Sequence, residues 1–312
     1  MNDESIELMA RAVMAAHQAR VGLPISDTTA TVYHHGDPVY CAVKQASRAM
    51  GFIDDDAECV ALAWQARSFR TGFFDASTWP DEPADFGMAP YPRHDAFAPC
   101  PHALGLYAVL PTASWVGRMA SAGVPTLQLR FKSDDEAAVQ REVDIAVEAV
   151  RGTGALLFIN DHWEAAIRAG AYGVHLGQED IDAADLNAIR SEGLRLGLSS
   201  HGYAEMLRVD RLSPSYIAMG AVYATNLKVM PTVPQGPGRL AAYARLMRDH
   251  SLVAIGGIDE QRLPDVLASG VGSVAVVRAL TAAETPEAVA AKWMAVIGAN
   301  DAARPVRHPQ EP

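Results

Sequence analysis

Two acids stand one strand-and-helix unit apart in FINDHWEAAIRAGAYGVHLGQED, residues 158–180: Asp161 and Asp180, each just past a short apolar run. Hard carboxylate oxygens from two neighbouring strand ends suit Mg2+, which keeps several waters and bridges to substrate phosphates. Each acid also has a second reading as N-cap of the helix that follows it, and the two roles are compatible. In QLRFK, the two-residue period of a strand places Gln128, Arg130 and Lys132 on one face, with Leu129 and Phe131 on the other. Cations turned into a closed interior need an anionic partner. That partner is either a bound polyphosphate, with Lys228 adding charge from a later loop, or a set of internal acids. In AIGGI, residues 254–258, two glycines end an apolar run, where backbone amides can approach a phosphate. His175 and His201 stand outside any His/Cys constellation and read as packing residues. Together these residues describe a site for a Mg2+-diphosphate on one side and a phosphomonoester on the other. Such a site suits transfer of a group away from a diphosphate leaving group.

The elements that must position them alternate. Short apolar runs at 104–111, 126–132, 155–161, 173–177, 195–201, 216–222, 252–258 and 273–279 are bounded by turn residues, as strands of a helix-covered parallel sheet are. Helix signals lie between them. Ser133 with Glu136 has the spacing of a capping box, and Gly152 can supply a left-handed stop. Thr285–Pro286 reads as an N-cap and first-turn pair. Eight such units predict an α/β fold, a (β/α)8 TIM barrel; the runner-up, a doubly wound open sheet, lacks a GxGxxG after its first strand. In a barrel the chemistry sits at the C-terminal strand ends. Those ends collect Gln128, Arg130, Lys132, Asn160, Asp161, Asp180, Ser199, Thr225, Asn226, Lys228, Gly256 and Gly257, with Arg278 on strand eight.

The whole chain limits the alternatives. Its 312 residues carry a formal net charge of −11, which argues against a nucleic-acid or anionic-membrane surface. No run approaches the length of a membrane span, and the acidic N-terminus is unlike a secretory signal, so the cytoplasm is the expected compartment. Cys41, Cys59 and Cys100 are too widely spaced for a disulfide framework or a metal knuckle. Six of the 19 prolines fall in residues 79–101, which predicts an extended linker rather than a packed element. The expected organisation is a helical extension over 1–78, a proline-rich linker over 79–102, the barrel over 103–299 and a disordered tail over 300–312.

The segments TLQLRFK, FINDHWEAAIRAGAYGVHLGQED, GLSSH, AMGAVYATNLKVMPTVPQG and VAIGGIDEQRLPDVLASGVGSVAVV, in that order, resemble the thiamine phosphate synthase family over residues 104–298. The resemblance implies attack of a thiazole phosphate on the methylene of an aminopyrimidine diphosphate, giving thiamine phosphate and pyrophosphate with Mg2+ as cofactor. It implies that Gln128, Arg130, Lys132, Asn160, Ser199 and Lys228 hold the pyrimidine diphosphate. Arg130, Lys132, Ser199 and Lys228 would assist pyrophosphate departure. Asp161 and Asp180 would ligate the metal. Thr225, Asn226, Leu227, Gly256 and Gly257 would hold the thiazole phosphate, with backbone amides near Val277 and Arg278. The family often reads Pro-Thr-x-Thr-Lys where this chain has Ala224-Thr225-Asn226-Leu227-Lys228, so the second hydroxyl is missing. The alternatives are a thiazole tautomerase-like isomerase of the same fold and a non-catalytic thiamine-phosphate-binding regulator. The expected partners are small molecules and a second copy of the chain as a homo-oligomer, with no nucleic acid and no membrane. Residues 41–74 are similar to the final helices of hydroxymethylpyrimidine phosphate kinases. The extension is too short for a kinase core and is expected to pack on the barrel or on a second subunit.

Overall fold

The computed structural model describes residues 3–23, 35–225 and 232–303. Three helices come first: α1 (Asp3–Val21), α2 (Pro38–Ala49) and α3 (Asp54–Thr71). Then follow β1 (Gly105–Leu110), α4 (Ala113–Ser121), β2 (Thr126–Leu129), α5 (Glu136–Val150), β3 (Leu156–Asn160), α6 (Trp163–Ala169), β4 (Gly173–Leu176) and α7 (Leu186–Ser191). The second half comprises β5 (Arg195–Ser200), α8 (Tyr203–Asp210), β6 (Tyr216–Met219), α9 (Gly236–Leu246), β7 (Leu252–Ala254), α10 (Leu263–Ala268), β8 (Ser273–Val276), α11 (Arg278–Thr281) and α12 (Pro286–Ala302).

The eight strands are parallel and close into a barrel in chain order, β8 pairing back onto β1. Alternation along each strand separates two cores. Leu127 and Leu129 of β2 pack outward against the helices, while Tyr107, Phe158, Tyr216, Ala218 and Ala275 fill the lumen. Large rings fit inside because glycines face them. A Cβ on Gly197 would lie 2.1 Å from the Tyr216 ring, and one on Gly173 would lie 2.6 Å from Phe158. Among the described residues no helix is long and apolar enough to cross a membrane.

Local expectations changed in four places. The cap of α5 is Asp135, not Ser133: its carboxylate accepts from the Ala137 and Ala138 amides at 2.9 and 3.1 Å. The Ser133 hydroxyl instead accepts from the Asp135 amide. A carboxylate two residues closer to the orphan amides outcompetes the hydroxyl and also suits the helix dipole. Strand β2 stops at Leu129, so Arg130 and Lys132 lie on the loop beyond it. Arg278 opens α11 rather than ending β8. The helix α12 continues to Ala302, through the first residues expected as a tail; residues 304–312 lie outside those described.

The proline-rich segment holds one short 3-10 helix, Pro83–Phe86, and otherwise no helix or strand, yet it is packed. Trp79 and Phe97 are buried in the core. Arg93 pairs with the buried Asp210 at 2.7 Å, and Phe97 N donates to Ser213 O at 3.1 Å. Ser215 Oγ donates to Ala98 O, and Ser251 Oγ to Pro101 O. Proline removes donors but leaves every carbonyl as an acceptor, and the residues between the prolines bury their rings. The strap thus runs across the N-terminal ends of the strands, opposite the mouth where the site lies.

Candidate active site

A cavity of about 790 Å³ opens at the C-terminal ends of the strands. Gln128, Arg130, Lys132, Asn160, Asp161, Asp180, Ser199, Thr225, Gly256, Gly257, Val277 and Arg278 all line it. Asn226, Leu227 and Lys228 lie outside the described residues.

The acids come from adjacent strand ends. Asp161 follows β3 with a φ of 63°, its amide donating to His175 O on β4 at 3.0 Å. It does not cap α6, whose N-cap is His162. Asp180 follows β4, and its Oδ2 accepts from Gly177 N at 3.0 Å. It does not cap α7 either, since Asp185 does. Burial and the neighbouring Asp180 raise the Asp161 carboxyl above the ordinary carboxylate range, while Arg130, His162 and a hydrogen bond with Asn160 pull it back. Among the described residues neither acid has an ion-pair partner, and no group of three or more His, Cys, Asp and Glu is arranged to hold a metal. Two hard carboxylates facing one cavity, Asp180 close enough to raise the Asp161 carboxyl, fit a divalent cation whose other ligands are water and substrate phosphate.

Across the mouth, Gly256 and Gly257 have φ values of 104° and 62°. A Cβ on Gly256 would lie 2.6 Å from Ala221 Cα, and one on Gly257 would lie 2.4 Å from Ala224 O. Both positions demand glycine, for the backbone angle and for the close approach of the β6 loop. Arg262, which sequence reasoning did not single out, lines the same cavity and donates to Gly257 O at 2.7 Å. Its signal, a cation near the start of α10, is common on surfaces and carries no spacing of its own.

His175 is more than a packing residue. Its Nε2 lies 2.9 Å from Ser199 Oγ and its Nδ1 2.7 Å from Tyr216 OH, and it faces the cavity. Tyr216 OH also contacts Tyr107 OH at 2.7 Å, and Gln128 Nε2 donates to Tyr107 OH at 3.0 Å. Burial raises the pKa of both phenols, so they stay protonated. His201 lines the cavity too, with Nδ1 donating to Glu205 Oε2 at 2.6 Å.

The family profile described as thiamine monophosphate synthase matches residues 106–280. The thiamine-phosphate synthase of Neisseria gonorrhoeae is 52% identical over 200 residues, 64% of this chain and 98% of the relative. That of Photorhabdus laumondii is 51% identical over 188 residues, 60% of this chain and 87% of the relative. Among solved structures, a thiamine phosphate pyrophosphorylase from Pyrococcus furiosus aligns with a TM-score of 0.56 at 24% identity, covering 63% of this chain and 96% of that one. At that identity the likeness is one of fold. The family match begins inside β1, so α1–α3 and the proline strap lie outside it.

Proposed function

The chain belongs to the thiamine monophosphate synthase family, a family of transferases, and on that premise we propose how its cavity works. It joins 4-amino-2-methyl-5-hydroxymethylpyrimidine diphosphate to 4-methyl-5-(2-phosphoethyl)thiazole. The methylene C–O bond to the diphosphate breaks, the thiazole nitrogen forms the new C–N bond, and pyrophosphate leaves with the electron pair.

The observation that carries this reading is the gathering of two cations and two acids on one side of a single cavity, with the two glycines opposite. Arg130 and Lys132 hold the diphosphate, together with Asn160 and the Ser199 hydroxyl. Gln128 holds the pyrimidine end. Asp161 and Asp180 hold Mg2+, which when bound supplies charge neutralisation for the departing pyrophosphate. Thr225, Gly256, Gly257 and the amides near Val277 and Arg278 hold the thiazole phosphate; Asn226 and Leu227 complete that side, and Lys228 adds a cation to the diphosphate. These groups stabilise a developing anion rather than moving protons, so rate comes from preorganised charge.

An isomerase acting on thiazole phosphate alone would need neither the paired acids nor Arg130, and a binding regulator would need no leaving-group stabilisation. The test is pyrophosphate release with the purified chain. Release that needs both substrates and Mg2+ supports the synthase; no release under those conditions overturns it.

A further inference from the structure

The helices that precede the family match dock on the barrel at two helices: the buried Arg239 of α9 donates to Val21 O and Met50 O, and α8 meets α3. Helix α8 starts from Gly202, which as N-cap has no side chain to satisfy the first amides. The acceptor comes from α3 instead: Ala204 N donates to Asp56 Oδ1 at 2.9 Å, across 148 residues of chain. Glycine at 202 makes room for it, since a Cβ there would lie 2.1 Å from Asp56 Oδ2. Asp56 is buried at 2% exposure. Tyr203, the first residue of α8, is sunk among Phe52, Phe86 and Tyr243, and Trp79 Nε1 donates to its hydroxyl at 2.8 Å.

Helix α8 in turn holds two parts of the cavity wall. It follows directly on Ser199, Ser200 and His201, and Glu205 in its first turn accepts from His201 N at 2.9 Å. Arg208 in its last turn donates to Gln178 O and Oε1 at 3.2 and 3.1 Å, and to Asp182 Oδ1 at 2.7 Å. Those contacts flank Asp180. Gln178 Nε2 then donates to Ser199 O at 2.6 Å, closing the circuit. The position of α8 therefore sets both the Ser199 turn and the loop carrying Asp180.

We propose that Asp56 is a positioning residue for the transferase reaction: a helix cap supplied by the N-terminal helices that fixes α8, and through α8 the Ser199 turn and the Asp180 loop. This inference rests on the synthase reading above. Packing alone would need only the aromatic contacts around Tyr203. A buried carboxylate aimed at a helix start that lacks its own cap is a directional device, and it gives the N-terminal helices a role in catalysis that their distance from the substrates would not suggest.

Full-length Asp56→Ala, Asp56→Asn and the double variant Asp56→Ala with Gly202→Ser test it, by steady-state kinetics and Tm, each assayed well below its Tm. Wild type is measured first; if it does not release pyrophosphate from both substrates, the synthase reading fails and the cap is not the cause. Loss of the acceptor in Asp56→Ala is expected to lower kcat roughly tenfold with KM for the thiazole phosphate within about twofold. Asparagine keeps an acceptor oxygen and stays within about twofold of wild type. Once the carboxylate is gone, a serine fits at 202 and caps the helix locally, so the double variant regains kcat. Wild-type kcat in Asp56→Ala, however far its Tm falls, overturns the proposal. So does a loss of kcat that neither asparagine nor the local serine recovers. Should Asp56→Ala not fold, the folded double variant decides: wild-type kcat supports the cap, and a tenfold loss overturns it.

Discussion

His175 Nε2 stands 2.9 Å from Ser199 Oγ, the last of four hydrogen bonds that cross the barrel lumen from Gln128. With the Gln128 amide donating to Tyr107, one direction satisfies every group: Tyr107 donates to Tyr216, Tyr216 to His175 Nδ1, and His175 Nε2 to Ser199. The Ser199 proton is then left to point into the cavity. The reverse order would leave the Tyr107 proton buried against an acceptor-poor neighbour, which is costly.

Tyr216→Phe breaks that order in the middle while keeping the ring that fills the space beside Gly197. We expect stability to fall by about 1–2 kcal/mol and kcat by roughly tenfold, because His175 can then take either tautomer and Ser199 loses its fixed direction. Denaturant unfolding and pyrophosphate-release kinetics measure the two effects separately. Unchanged kcat would show that the Ser199 hydroxyl needs no such guide.

Asp161→Asn removes a carboxylate that burial and Asp180 hold above its ordinary pKa. A raised carboxyl pKa means its stability contribution is full below the ordinary value of 3.8 and is lost as pH rises through the folded value. Without metal at neutral pH, the variant is therefore expected to melt above wild type. Mg2+ raises the wild-type Tm but not that of the variant, and turnover drops by at least about a hundredfold. A thermal-shift titration with Mg2+ and an activity assay read these outcomes; an equal Mg2+ shift in both proteins would remove the metal assignment.

Gly256→Ala sets a methyl group 2.6 Å from Ala221 Cα at a φ of 104°. The expected cost is about 1–3 kcal/mol of stability, with the loop displaced from the phosphate side of the mouth. KM for the thiazole phosphate should rise roughly tenfold while KM for the diphosphate changes little. A rise shared equally by both substrates would argue against a separate phosphate subsite.

Asp56→Asn also predicts a pH signature. Burial raises the Asp56 carboxyl from 3.8 to about 6, against the Ala204 amide and Arg239, with Glu205 and Asp55 adding to the rise. Its contribution is therefore full below pH 3.8 and lost as pH climbs to about 6. Relative to the asparagine variant, wild type should lose about 3 kcal/mol of stability between pH values below 3.8 and pH values above about 6, and no more beyond. Urea unfolding of both proteins at several pH values gives the difference; a flat difference would mean that Asp56 is not buried as a charge at neutral pH.

Where a feature is local, the chain announces it. The eight strands and their order follow from short apolar runs alternating with helix-period segments, and Asp161, Asp180, Arg130, Lys132, Gly256 and Gly257 sit just past those runs, where a barrel must gather them. One strand-and-helix unit is enough to bring the two acids to the same mouth, so their proximity is a consequence of topology alone. Assembly decided the rest, because it depends on groups far apart in sequence meeting in space. A proline-rich stretch reads as a linker until its rings are buried, Trp79 between α3 and α8 and Phe97 in the core. His175 reads as filler until β1, β4, β5 and β6 bring Tyr107, Ser199 and Tyr216 into line with it. Gly202 looks like an ordinary turn residue until Asp56, supplied by another helix, fills the space that its missing side chain leaves. Periodicity and turn chemistry are written in neighbouring residues, whereas a hydrogen bond between α3 and α8 exists only once both are packed.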